Sequence, residues 1–224
     1  MKIAIGVLAV ALGWTLYAVN YLHPAPGQEV TALENRVEGQ TVTATSFPRG
    51  KITFDAKLKY LGGQRFLLYG VANAEQHFFV EADEQKRVKR LYWLQFEGYL
   101  PNNTHTYDYS DQPLKFQHSG LEWLSDARSG MTPRTDENPN SDGARFRAFM
   151  RAKGYMLPQE HVRLRMVHLD AAKRNELMVI YIEDLGPRGL AAMDLREGGK
   201  AHAEWPKVVE ELVRNAKAGM TVAL

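Results

Sequence analysis

Apolar and β-branched residues between Lys57 and Tyr99 come in runs separated by short polar clusters, and that rhythm organises the chain. The runs Lys57–Leu61, Gln64–Ala72, His77–Ala82 and Arg87–Tyr99 are broken at Gly62-Gly63, Asn73–Gln76 and Asp83–Lys86. Apolar runs punctuated by Gly, Asn and Asp predict consecutive antiparallel strands, here a four-stranded meander. Within Gln64–Ala72, Arg65, Leu67, Tyr69 and Val71 alternate with Phe66, Leu68 and Gly70, and neither set is cleanly polar. His77–Val80 and Leu91–Leu94 behave in the same way. Strands apolar on both faces predict a sheet covered on both faces, or one curled around a core or cavity.

Upstream, the β-branched residues of Val37–Phe54 predict one or two further strands, broken by Pro48-Arg49-Gly50. Downstream, Leu100–Asp111 turns loop-like and Leu114–Leu124 predicts one more strand. Ser125–Asp142 is polar and rich in Gly and Pro, and it reads as the longest structureless stretch. Ser141 or Asp142 can cap a helix over Gly143–Lys153, with Phe146, Phe149 and Met150 on one face and Gly154 as its stop.

A hairpin follows, His161–Leu169 against Leu177–Leu185. The expected register places Val162, Leu164, Met166 and His168 opposite Asp184, Ile182, Ile180 and Met178. It also sets Arg163 opposite Glu183 and Arg165 opposite Tyr181, making one largely apolar face and one mixed face with a cross-strand ion pair. The last element is a helix opening near Pro206, with the stripe Val208, Val209, Leu212, Val213 and Ala216. Glu210 and Arg214 are its expected ion pair, and Gly219 caps it.

The N-terminus has a different pattern: Ile3–Leu22 carries no charge. Its length at helical rise matches a bilayer core, Trp14, Tyr17 and Tyr21 cluster toward the far end, and Lys2 lies on the near side. Residues 1–22 therefore read as an uncleaved transmembrane signal-anchor, 23–36 as a linker, and 37–224 as a single extracytoplasmic domain, periplasmic if the source is bacterial. The fold class is α+β: a curved antiparallel β-meander sheet covered by a mid-chain helix and a C-terminal helix, preceded by an N-terminal membrane helix.

Composition narrows the chemistry. The 224 residues contain no cysteine, which excludes disulfides, thiolate metal sites and cysteine nucleophiles. A formal charge of +2 gives no argument for nucleic acid. Neither Gly62-Gly63 nor Gly198-Gly199 lies in a phosphate-loop context, and no serine sits in a Gly-x-Ser-x-Gly turn. No cofactor is called for.

Two clusters remain. His105, Tyr107, Asp108 and His118 are the densest set of groups able to ligate or move protons, although their spacing matches no standard metal motif. Lys86, Arg87, Lys89 and Arg90 form a basic run at a turn that could touch phosphate or anionic lipid. The resulting expectation is a membrane-anchored domain acting by binding, with an envelope protein or an apolar small molecule as partner. The alternative is a metal-dependent or acid/base hydrolase using His105, Asp108 and His118.

Overall fold

A computed structural model describes residues 32–132, 138 and 140–224. The expected membrane helix at 1–22 lies outside the described residues, as does part of the stretch after Met131. Among the described residues, no helix is long and apolar enough to cross a membrane.

The fold is α+β with two antiparallel sheets. β1 (Arg36–Glu38), β2 (Thr41–Ala44), β3 (Gly50–Phe54) and β11 (Met220–Ala223) form the smaller one, in the order β1-β2-β3-β11. The larger contains β4 (Lys59–Leu68), β5 (Ala72–Ala82), β6 (Val88–Tyr99), β7 (Leu114–His118), β8 (Leu121–Met131), β9 (Glu160–Leu169) and β10 (Asn175–Asp184). Its order is β4-β5-β6-β10-β9-β8-β7, so two meanders meet where β6 pairs with β10. Among the described residues the α-helices are α1 (Asp142–Ala152) and α2 (Trp205–Ala218).

The central stretch is a meander of three strands, not the four expected. Gly62-Gly63 does not turn the chain; it lies inside β4, where the register with β5 shifts between Tyr60 and Gly62. Glycine permits the bulge, since Gly62 has φ +120 and its missing Cβ leaves room for the Phe149 ring. The expected strand Leu114–Leu124 is instead a hairpin, turned at Ser119-Gly120, where both residues have positive φ (53 and 78) as a two-residue turn demands. Much of the stretch expected to be structureless is strand: β8 continues to Met131, held by β9. Its polar composition has a simple cause, since β7 stops at Leu114↔Ser125 and, among the described residues, 126–131 have a strand neighbour on one side only.

The β9–β10 register also differs from expectation, by one residue. Val162 faces Glu183, Leu164 faces Tyr181, Arg163 faces Ile182 and Arg165 faces Ile180. Leu177–Ile182 is apolar throughout and buried on both faces, so its own pattern favours neither register. The turn decides. Asp170 N–H donates to the Asn175 carbonyl at 3.1 Å, and the Asp170 carbonyl accepts from Lys173 N–H at 3.0 Å. The Asp170 carboxylate then accepts from Arg174 N–H at 2.8 Å and from the Asn175 side-chain amide at 2.6 Å. Lys173 adopts the left-handed φ of 55 that closes the loop.

Each face of the large sheet is covered. One carries Phe79, Tyr92, Leu164, Val179 and Tyr181 and packs on α2, through Val208, Leu212 and Ala216, and on the small sheet. The ion pair of α2 runs from Glu211 to Arg188 at 2.6 Å, in place of the expected Glu210–Arg214. The other face carries Phe78, Trp93, Met178, Ile180 and Ile182 and packs on Phe146 and Met150 of α1. α1 begins as expected, with the Ser141 hydroxyl accepting from Ala144 N–H at 3.1 Å.

Candidate functional site

The one-residue register change moves arginines. Successive strand residues point to opposite faces, so Arg163 and Arg165 share the α1 face with Ile180 and Ile182. β8 adds Arg128 and Asp126, paired across to Arg163 and Arg165. α1 adds Arg147 from above. The four arginines border a groove of about 1140 Å³. Its apolar side is Trp93, Phe146, Met178, Ile180 and Ile182. Beyond β8 the same groove reaches Leu195, Arg196, His202 and Trp205.

Among the described residues, the lining holds five arginines and two acids, Asp142 and Glu197. Asp126, just behind the wall, offsets one cation: its carboxylate accepts from Arg165 at 2.6 Å and lies 3.7 Å from Arg128. Burial first, then the field of Arg163, push His161 down to about 4, so its ring is neutral at ordinary pH. Burial raises the Asp142 carboxyl, which weakens the acidic share of the lining. Arg147 and Arg163 have further contacts of their own, so neither is an unpartnered cation.

Arg165 joins the groove to a second polar cluster. Its guanidinium also donates to Gln112 Oε1 at 3.2 Å and stands 5.2 Å over the Tyr109 ring. Tyr109 donates to Glu176 at 2.7 Å, and Tyr107 donates to Glu97 at 2.8 Å. Glu97 and Glu176 are cross-strand partners. Burial raises both carboxyls, and the charge of Glu97 adds to the rise at Glu176. Glu97 also anchors a glutamine ladder: Gln95 donates to it at 2.6 Å, Gln76 to Gln95 at 2.7 Å, and Gln64 to Gln76 at 2.6 Å. Each amide supplies the donor its neighbour needs, so the polar row is satisfied inside an apolar sheet.

The candidate residues from the sequence are dispersed. Tyr107 is buried on Glu97, while His105 and Asp108 are exposed in the loop after β6. His118 lies at the β7–β8 turn, where Nε2 is 2.8 Å from the Met220 carbonyl and ties that turn to β11. Among the described residues, no group of three His, Cys, Asp or Glu side chains is arranged to hold a metal. In the basic run, Arg87 pairs with Asp83 at 2.6 Å, and Arg90 bridges Glu81 at 2.6 Å and Asp55 at 2.8 Å. Lys86 donates to the Lys153 carbonyl at 3.2 Å, and Lys89 is exposed.

The residues that sequence reasoning passed over left a signal in the sequence. Gln76, Gln95, Glu97 and Glu176 are polar positions within apolar strands, which call for partners across the sheet. The arginines were visible at alternate positions of β9, but their face followed from the register. Against protein-family models, curated proteins and solved structures, nothing matches this chain.

Proposed function

We propose that this protein is a binding domain, held outside the membrane by its N-terminal apolar segment, and that its ligand is an anion with apolar surface seated in the arginine-lined groove. The observation that carries this reading is the combination, among the described residues, of five arginines with an aromatic and aliphatic side in a single groove of about 1140 Å³. Sites of this kind take orientation from a few polar groups and affinity from apolar walls. Arginine suits the polar part, because its planar fork meets carboxylate or phosphate with two parallel hydrogen bonds.

A purely apolar ligand fits less well, because covering Arg128, whose side chain is 64% exposed, would strip its water without supplying a hydrogen bond. An acid/base hydrolase centred on His105, Asp108 and His118 has no support in the geometry, since two of the three are exposed loop residues and the third bonds a backbone carbonyl.

The test is calorimetric titration of the full-length chain in detergent with N-benzoylglutamate and with its uncharged diamide. The dicarboxylate should bind, weaken steeply as salt rises and weaken further in Arg128→Glu; the diamide should not bind. Equal binding of both compounds, or of neither, would end the reading.

A further inference from the structure

Residues 100–113, between β6 and β7, form a loop without helix or strand. Side chains hold most of it to the fold. Arg174 donates to the carbonyls of His105 at 3.0 Å and Leu100 at 2.9 Å, and Arg165 donates to Gln112 at 3.2 Å. The Tyr107 N–H also reaches the Lys173 carbonyl at 2.8 Å. Two further ties end on acids: the hydroxyl of Tyr107 on Glu97 at 2.8 Å, and that of Tyr109 on Glu176 at 2.7 Å.

Those acids are direct cross-strand partners, so their side chains leave the same face of the sheet as neighbours. They are not equivalent. Glu97 is half-buried, and each of its oxygens accepts a donor, Oε1 from Tyr107 and Oε2 from Gln95 at 2.6 Å, a set that suits an ionised carboxylate. Glu176 is 2% exposed and has that charge beside it. Two like charges at such a pair, one of them out of water, favour a proton on the buried member. The groups facing the pair do not relieve it. Asp142, at the start of α1, adds to the acidic field at both acids. Arg165 opposes it but is engaged by Asp126 at 2.6 Å. Arg174 stands 5.9 Å over the Tyr99 ring, while burial keeps the phenols of Tyr69 and Tyr99 neutral. In the loop itself, His105, Asp108 and Asp111 are exposed.

We propose that residues 100–113 are a lid locked by a proton on Glu176: while the proton is held, Tyr107 and Tyr109 seat the loop on the acid pair, and when it leaves to water the loop lifts. Closed, the loop keeps Glu176 from water and so favours its neutral form; open, both carboxyls are hydrated and ionise freely. The closed state therefore binds more protons than the open one, and the ratio of closed to open falls by up to about tenfold per pH unit for each proton released. Opening also takes Gln112 and the Tyr109 ring off Arg165, which lines the groove. The lid does not depend on what the groove binds.

The chain has no cysteine, so Thr106→Cys, at an exposed loop position, carries a nitroxide at one place in the full-length protein in detergent. Thr43→Cys, exposed on β2, carries the control label. Electron paramagnetic resonance then follows both between about pH 5.5 and about pH 9, a range that spans both raised carboxyls. The mobile fraction at residue 106 should rise at least about threefold with pH while residue 43 stays unchanged. Glu176→Gln, a neutral side chain of the same shape, should abolish the rise and keep the loop immobile at the alkaline end. Glu97→Gln, which removes the neighbouring charge, should weaken it. A label at residue 106 that does not respond to pH, or responds equally in Glu176→Gln, overturns the lid. If both labels loosen together, the transition is unfolding of the whole domain and the lid is equally wrong.

Discussion

Arg165 lies directly across the β9–β10 ladder from Ile180, not from Tyr181, and this single pairing sets an arginine on the α1 face of the large sheet. There it meets Asp126, which is 4% exposed. Arg165→Met should remove the partner of a buried carboxylate and cost about 3–5 kcal/mol. The double change Arg165→Met with Asp126→Leu should recover most of that loss. Urea unfolding of the two variants measures it, and a small cost for the single change would mean that water reaches Asp126.

Glu97 and Glu176 make stability depend on pH. Burial raises both above the ordinary 4.5, to about 7 and about 8, so the folded protein holds protons that the unfolded chain releases. Their contribution is full below pH 4.5 and declines as pH rises toward 8, by at most roughly 1.4 kcal/mol per pH unit for each proton. Glu176→Gln should flatten this decline and raise the urea midpoint at pH 8 relative to the native protein. An unchanged slope between pH 5 and 8 would place the protons elsewhere.

Leu212 of α2 is fully buried and Arg214 is exposed. Leu212→Ala should cost about 2–5 kcal/mol by leaving a cavity, and Arg214→Ala should stay within about 0.5 kcal/mol. Equal small effects in thermal or urea unfolding would make α2 a loosely held appendage.

Tyr92 and Gly219 should prove coupled. The Tyr92 hydroxyl donates to the carbonyls of Asn215 at 3.2 Å and Ala216 at 3.0 Å, near the end of α2. A Cβ at Gly219 would collide with that hydroxyl, although the backbone there, at φ −93, suits any residue. Tyr92→Phe should cost about 1–2 kcal/mol. Gly219→Ala should be well tolerated only when combined with Tyr92→Phe, and a double-mutant cycle of unfolding energies reads the coupling. Strict additivity would contradict the packing described.

The α+β class, the main strands, the Ser141 cap and the apolar stripe of α2 were legible in the sequence, because each follows from periodicity or from a local hydrogen bond. The glutamine ladder was half legible: polar residues in apolar strands demand partners, but nothing local names them. The Gly62-Gly63 bulge, the β8 extension and the β9–β10 register were decided by tertiary structure. Gly62-Gly63 suits a turn or a bulge equally well; pairing of Lys59–Leu68 with β5 along its whole length decided between them. The polar sequence Ser125–Met131 becomes a strand only because β9 supplies a ladder, and it stays polar because no β7 residue lies beyond it. In β10 an unbroken apolar run left two registers equally able to bury it, and the Asp170–Asn175 turn chose the one that turns Arg163 and Arg165 into the groove. Local pattern thus determined which elements form, whereas contacts between residues distant in sequence determined which faces they present, and the candidate site is a property of faces.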